Sequence, residues 1–120
     1  MTFFIPFRLP GMNDIIAANR WHRMNGAKLK RQTQEDIGMI IKSQCRAVFT
    51  ETVKLSYTWV EPNRKRDLDN IMSAQKFIQD SLVEMGIIKN DGWKQISGIS
   101  HKFTVDKDKP GVWVKIEEEI

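Results

Sequence analysis

Val53-Lys54-Leu55-Ser56-Tyr57-Thr58-Trp59-Val60-Glu61-Pro62-Asn63-Arg64-Lys65-Arg66-Asp67-Leu68-Asp69-Asn70 changes its hydrophobic period part-way along. Val53, Leu55, Tyr57 and Trp59 alternate with Lys54, Ser56 and Thr58, the pattern of a half-buried strand that ends at Pro62. Beyond the charged run, Ile71, Ala74, Ile78, Leu82 and Met85 recur at helical spacing. They predict a helix from about Asp69 to Met85, with Gly86 just past its end where a left-handed residue is wanted.

Working outward, Thr2 to Phe7 is apolar and β-prone, and Pro10-Gly11 ends it. Residues 11–32 show little periodicity and read as a long basic loop, with one helical turn around Asp14–Ala18. Thr33 followed by Glu35 and Asp36 looks like an N-cap. Ile37, Ile40, Ile41, Cys45 and Val48 then form one apolar helical stripe. The last third reads as two strands, Ile96–Val105 and Val112–Glu118, joined by a turn from Asp106 to Gly111. The expected fold is a single α+β domain over residues 1–120, a small mixed β-sheet with two main helices in the order β-α-β-α-β-β.

Composition narrows the class. With 41% hydrophobic and 28% charged residues the chain reads as soluble and globular. No apolar run approaches the roughly 20 residues that span a bilayer, so no membrane partner is expected. The first residues lack the basic flank and long apolar stretch of a secretory signal, and the lone Cys45 excludes an intramolecular disulfide. A cytoplasmic protein is the expectation.

The net charge of +4 is unevenly placed, because six Lys/Arg and only Asp14 among the acids fall in residues 1–31. Arg20, Arg23, Lys28, Lys30 and Arg31, with Trp21 and His22 among them, suit contact with a nucleic-acid backbone. A solvated loop with ordinary lysines accounts for the same residues equally well.

Arg64-Lys65-Arg66 runs straight into Asp67 and Asp69. Cations attract a polyanion, and clustered carboxylates repel one unless a divalent cation lies between them. A site that needs both is most simply a metal-dependent nuclease site acting on phosphate backbone. Asp67 and Asp69, two apart in an extended segment, project to the same side. Mg²⁺ suits them, since it takes oxygen ligands and keeps several waters. The adjacent helix N-terminus offers N–H donors to a phosphate. Asn90-Asp91-Gly92-Trp93 follows the helix and can return a third carboxylate, Asp91, to the same end. Lys76 lies seven residues after Asp69, within about 20° of two full turns, and can reach the site; pairing with Asp80 at i+4 is the competing reading. The alternative for the aspartates is helix capping by a non-catalytic basic module that binds branched or duplex nucleic acid. Neither His22 nor His101 has metal-ligand spacing, and no Walker loop or Ser/His/Asp pattern is present.

Arg64 to Asn70 closely resembles the RusA family of Holliday junction resolvases, common in prophages and bacteria. Gln75-Lys76, Asp80, Leu82, Gly86-Ile87 and Asn90-Asp91-Gly92-Trp93 extend the likeness over residues 62–93. Leu9-Pro10-Gly11-Met12-Asn13 looks like the family's Pro-x-x-Asn turn. The resemblance implies a homodimeric, Mg²⁺-dependent endonuclease that places paired symmetric nicks across four-way DNA junctions in recombination and repair. It implies Asp67, Asp69 and Asp91 as metal-binding catalytic acids and Lys76 as the catalytic lysine. By the same implication Asn13 joins the basic residues in contacting DNA. One departure stands out: the family's lysine comes four residues after the second aspartate, where this chain has Ser73. Counted back from Gly86, Lys76 matches, so the segment between Asp69 and Lys76 carries three extra residues.

Overall fold

The alternation over 53–59 and the helical stripe over 71–82 build the centre of the molecule. The computed structural model describes residues 1–119, the Arg23 side chain excepted. Its elements are β1 (Thr2–Ile5), α1 (Met12–Trp21), α2 (Arg23–Gln44), β2 (Val53–Glu61), α3 (Leu68–Met72), α4 (Gln75–Glu84), β3 (Ile96–Val105) and β4 (Gly111–Glu118). The strands form one sheet in the order β1-β4-β2-β3. β4 runs antiparallel to both β1 and β2, whereas β2 and β3 are parallel. Parallel neighbours need a long crossover, and α3 and α4 supply it. The fold is therefore α+β with a small mixed sheet, as the sequence indicates.

Val53, Leu55, Tyr57 and Trp59 are each at most 2% exposed. They share the buried face with Val112, Val114 and Ile116 of β4 and Phe3 and Ile5 of β1. Ile37 and Ile41 of α2 and Ile78 and Leu82 of α4 complete this core. Burying each such aliphatic side chain stabilises the fold by about 1.5–3 kcal/mol, before any chain entropy is set against it. β3 follows β2 into the sheet yet does not pair with β4, which lies on the other side of β2. The polar turn after Val105 is thus a bridge across the sheet end, where the Asp106 amide donates to the Glu61 carbonyl at 2.9 Å.

Several expectations need correcting. Residues 11–32 are not a loop: α1 and the first half of α2 occupy them. The two helices meet at His22, whose Nδ1 accepts the Met24 amide at 3.1 Å, and the Asn19 side chain accepts the Gly26 amide at 3.0 Å. Thr33 is not an N-cap but sits inside α2, with its hydroxyl donating back to the Leu29 carbonyl at 2.7 Å. α2 stops at Gln44, so Cys45 is its C-cap and Val48 lies beyond the helix, 67% exposed. The single helix expected over 69–85 is broken at Ser73–Ala74 into α3 and α4, and Met85 is partly exposed rather than core.

The end of α4 is as expected. Gly86 adopts φ +74°, a conformation costly for residues with a Cβ. Its amide donates to the Val83 carbonyl and that of Ile87 to Leu82, and the buried Ile87 and Leu82 side chains close the Schellman motif.

His101 on β3 is half-buried, and its Nδ1 accepts the Trp59 indole N–H at 2.9 Å. Burial holds its imidazole below the usual histidine range. The unfolded chain therefore takes up the proton first. Stability present above about pH 6.5 is lost as pH falls from there towards the folded value. Replacing His101 by Asn should flatten that segment of a denaturation-midpoint-against-pH curve; an unchanged slope would assign it to other groups.

Candidate active site

Asp67 holds the N-cap position of α3 with extended backbone, but its carboxylate caps no amide. Asp69 stands in the first turn, where its Oδ1 accepts the Asn70 amide at 2.9 Å. Both side chains are exposed, and among the described residues neither has an ion-pair partner. Asp67 is therefore not used as a cap, and Asp69 meets one first-turn amide with a single oxygen. Asp67 also lines a cleft of about 580 Å³ with Arg64, Leu68, Phe103 and Thr104.

The segment is fastened on both sides. Asn70 Oδ1 accepts the Asn13 amide and Ser73 Oγ accepts the Met12 amide, each at 3.0 Å. The unsatisfied N–H groups that open α1 are thus met by side chains of the α3 segment. Gly11 makes this possible, since a Cβ there would collide with Asn70. On the other side, Arg66 turns inward. Its guanidinium grips both oxygens of Glu61, at 2.9 and 2.8 Å, and donates to the Leu9 carbonyl at 3.0 Å. Burial alone would raise the Glu61 carboxyl, but Arg66 and Arg8 outweigh it and hold it below the usual glutamate range.

Lys76 opens α4 between two acids, 2.8 Å from Asp80 and 3.7 Å from Asp91. Asp80 first, and Asp91 second, raise its ammonium above the usual lysine range. Asp91 sits in a turn held by the Asn90 side chain, which accepts the Gly92 amide at 2.9 Å. Its charge is close enough to Tyr57 to add to the burial that pushes that phenol up. Lys76 also shares a cavity of about 180 Å³ with Ser73, Lys30 and Met12, which brings the basic stretch of α2 beside α4.

The structure thus joins Lys76 to Asp91 and to its competing partner Asp80, and places Asp67 beside Asp69. It does not gather all three aspartates: among the described residues no three of His, Cys, Asp and Glu are placed to hold a metal ion. Asp67 and Asp69 nevertheless fit a hard divalent cation in kind, as unpaired carboxylates exposed enough to leave room for retained waters. Arg20, Lys28, Lys30, Arg31, Arg64 and Lys65 are exposed and, among the described residues, form no ion pair. Asn13 is exposed on α1. The Arg23 side chain lies outside the described residues. Trp21 and Trp93 are 88% and 98% exposed, so neither packs in the core. The anchoring roles of Glu61, Asn70 and Ser73 were not read from the sequence; an acid closing an apolar strand was the only local sign of the first.

No curated protein matches this chain. The family model for endodeoxyribonuclease RusA matches residues 16–117, which includes every acid and lysine of the site just described. The chain belongs to the RusA endodeoxyribonuclease family.

Proposed function

We propose that this chain is a Mg²⁺-dependent, structure-selective endonuclease that resolves four-way DNA junctions by paired symmetric nicks, acting as a cytoplasmic homodimer in recombination and repair. The observation that carries the reading is the pair Asp67 and Asp69, exposed and without ion-pair partners among the described residues at the head of α3, inside a chain matched along residues 16–117 to an endodeoxyribonuclease family. Asp67 and Asp69 would hold the ion, and the family resemblance assigns Asp91 as the third acid. The bound ion supplies charge stabilisation and an acidified water for phosphodiester hydrolysis. Lys76 contributes a cation towards the scissile phosphate or leaving oxygen. Arg20, Arg23, Lys28, Lys30, Arg31, Arg64 and Lys65, with Asn13, serve the DNA arms, whereas Arg66, expected among them from the sequence, faces Glu61 instead. Two nicks in opposed strands call for two sites related by a two-fold axis.

The test is cleavage of an end-labelled four-way junction beside a matched linear duplex, with Mg²⁺, Ca²⁺ or EDTA. Symmetric paired nicks on the junction alone, with Mg²⁺ alone, are the expected result. A thermal melt run in parallel should rise with Mg²⁺, because an ion bound only by the folded chain stabilises it. Junction binding with no cut under any metal, and no Mg²⁺-dependent rise, would make the chain a non-catalytic DNA-binding module.

A further inference from the structure

Arg66 immediately precedes Asp67, and in sequence it is the third cation of a basic run. Its environment differs from that of the other two. Arg64 and Lys65 are exposed, whereas the Arg66 side chain is 14% exposed and meets a Glu61 side chain only 8% exposed. The contact is a two-pronged fork, Nε to Oε1 at 2.9 Å and Nη2 to Oε2 at 2.8 Å. That geometry needs a planar guanidinium, and lysine cannot reproduce it. The third nitrogen, Nη1, donates to the Leu9 carbonyl at 3.0 Å and lies 3.6 Å from Asp14 Oδ2. The same Asp14 oxygen accepts the Gly11 amide at 2.8 Å. One guanidinium therefore ties together the end of β2, the turn before α1 and the first turn of α1. Every nitrogen is occupied, and the charge already faces two carboxylates.

Resting on the nuclease reading above, we infer that Arg66 and Glu61 form a positioning pair that aims Asp67 and Asp69, and that Arg66 is not a phosphate contact. The fork fixes the chain directly before Asp67, while Asn70 and Ser73 fix it directly after Asp69 through α1. The two acids are held at the centre of a short segment anchored at both ends. A segment built this way presents its carboxylates to an ion without first having to order itself. Glu61 does the buried half of the work. Without its charge the fork is lost, and the arginine keeps only the Leu9 carbonyl and Asp14.

Glu61→Gln and Arg66→Lys test this, since both preserve volume and neither strands a buried carboxylate. Glu61 is the sharper of the two because the competing readings give opposite signs. If Arg66 were a DNA contact, Glu61→Gln would release it to bind junction more tightly and cut as fast or faster. As half of a positioning pair, Glu61→Gln should slow single-turnover cutting at saturating protein by about tenfold or more, the loss typical when the support of a metal ligand is removed. In a third variant, Arg66→Gln, the slope of log affinity against log salt should stay as in the unmodified chain, where loss of a phosphate contact would lower it by about one. Hydrogen exchange supplies a readout free of catalysis. The Ile71 and Ser73 amides, which bond to the Asp67 and Asp69 carbonyls, should exchange faster in both variants, with α4 unchanged. Unchanged exchange in 67–73, or a salt slope reduced by one in Arg66→Gln, would overturn the inference. Absence of cutting by the unmodified chain would sink the nuclease reading instead, and the exchange rates would still decide the clamp.

Discussion

Asp67→Asn should leave the chain folded and junction-bound while slowing cleavage on the order of a thousandfold, the several kcal/mol that a catalytic ion contributes to the transition state. The substitution keeps the size and one oxygen of the side chain but removes the charge a divalent ion requires. Stability should move by no more than about 0.5 kcal/mol, because the carboxylate is exposed and caps nothing. Junction affinity should hold or improve, since one negative charge facing a polyanion disappears while Arg64 and Lys65 remain. Single-turnover cutting of a labelled junction, with binding followed by gel shift in Ca²⁺, separates the two effects. A variant that cuts within tenfold of the unmodified chain would remove Asp67 from the metal site. One that melts several degrees lower would return it to a structural role.

Trp59→Ala should cost about 3–5 kcal/mol, the largest loss of stability expected from a single truncation in the sheet. The indole is 2% exposed, stacks on Tyr57 with ring centroids 5.4 Å apart, and satisfies His101 Nδ1. Its removal leaves a void between β3 and β4, which both register against β2 at this residue. Domains of this size are stable by only about 5–15 kcal/mol, so the urea midpoint should fall by a large fraction. Trp93→Ala is the matching control: the side chain is 98% exposed, and its loss should stay within about 0.5 kcal/mol. Equal midpoints for the two variants would mean that the sheet core is not organised around Trp59.

These two residues mark what could be read from sequence. Trp59 declares itself through strict alternation with its neighbours, and the bounds of β3 follow from the same local rule. Gly86 likewise announces the end of α4. Of α1 only the turn around Asp14–Ala18 could be found this way, because the amides of Met12 and Asn13 are met by Ser73 and Asn70, which lie far along the chain. Thr33 shows the converse failure. It carries a capping signature, but the helix continues through it and its hydroxyl bonds one turn back. The placing of β4 between β1 and β2 depends on pairings no local pattern encodes. In the site, the aspartates were recognisable by type and spacing. The inward turn of Arg66 was not, because a run of three cations looks uniform until the buried Glu61 singles out one of them.

The interruption at Ser73–Ala74 has a bearing on how such a chain can diverge. In an unbroken helix, three added residues swing everything downstream by about 300°. That is a net turn of about 60°, which would put the apolar side of the following turns out of register with the sheet. Here the break falls between Asp69 and Lys76, and α4 keeps Ile78 and Leu82 fully buried. The joint lets the lysine-bearing turn and the acid-bearing turn be re-aimed separately. Length changes confined to that joint are therefore the natural means of retuning lysine against carboxylate while leaving the packed interior as it is.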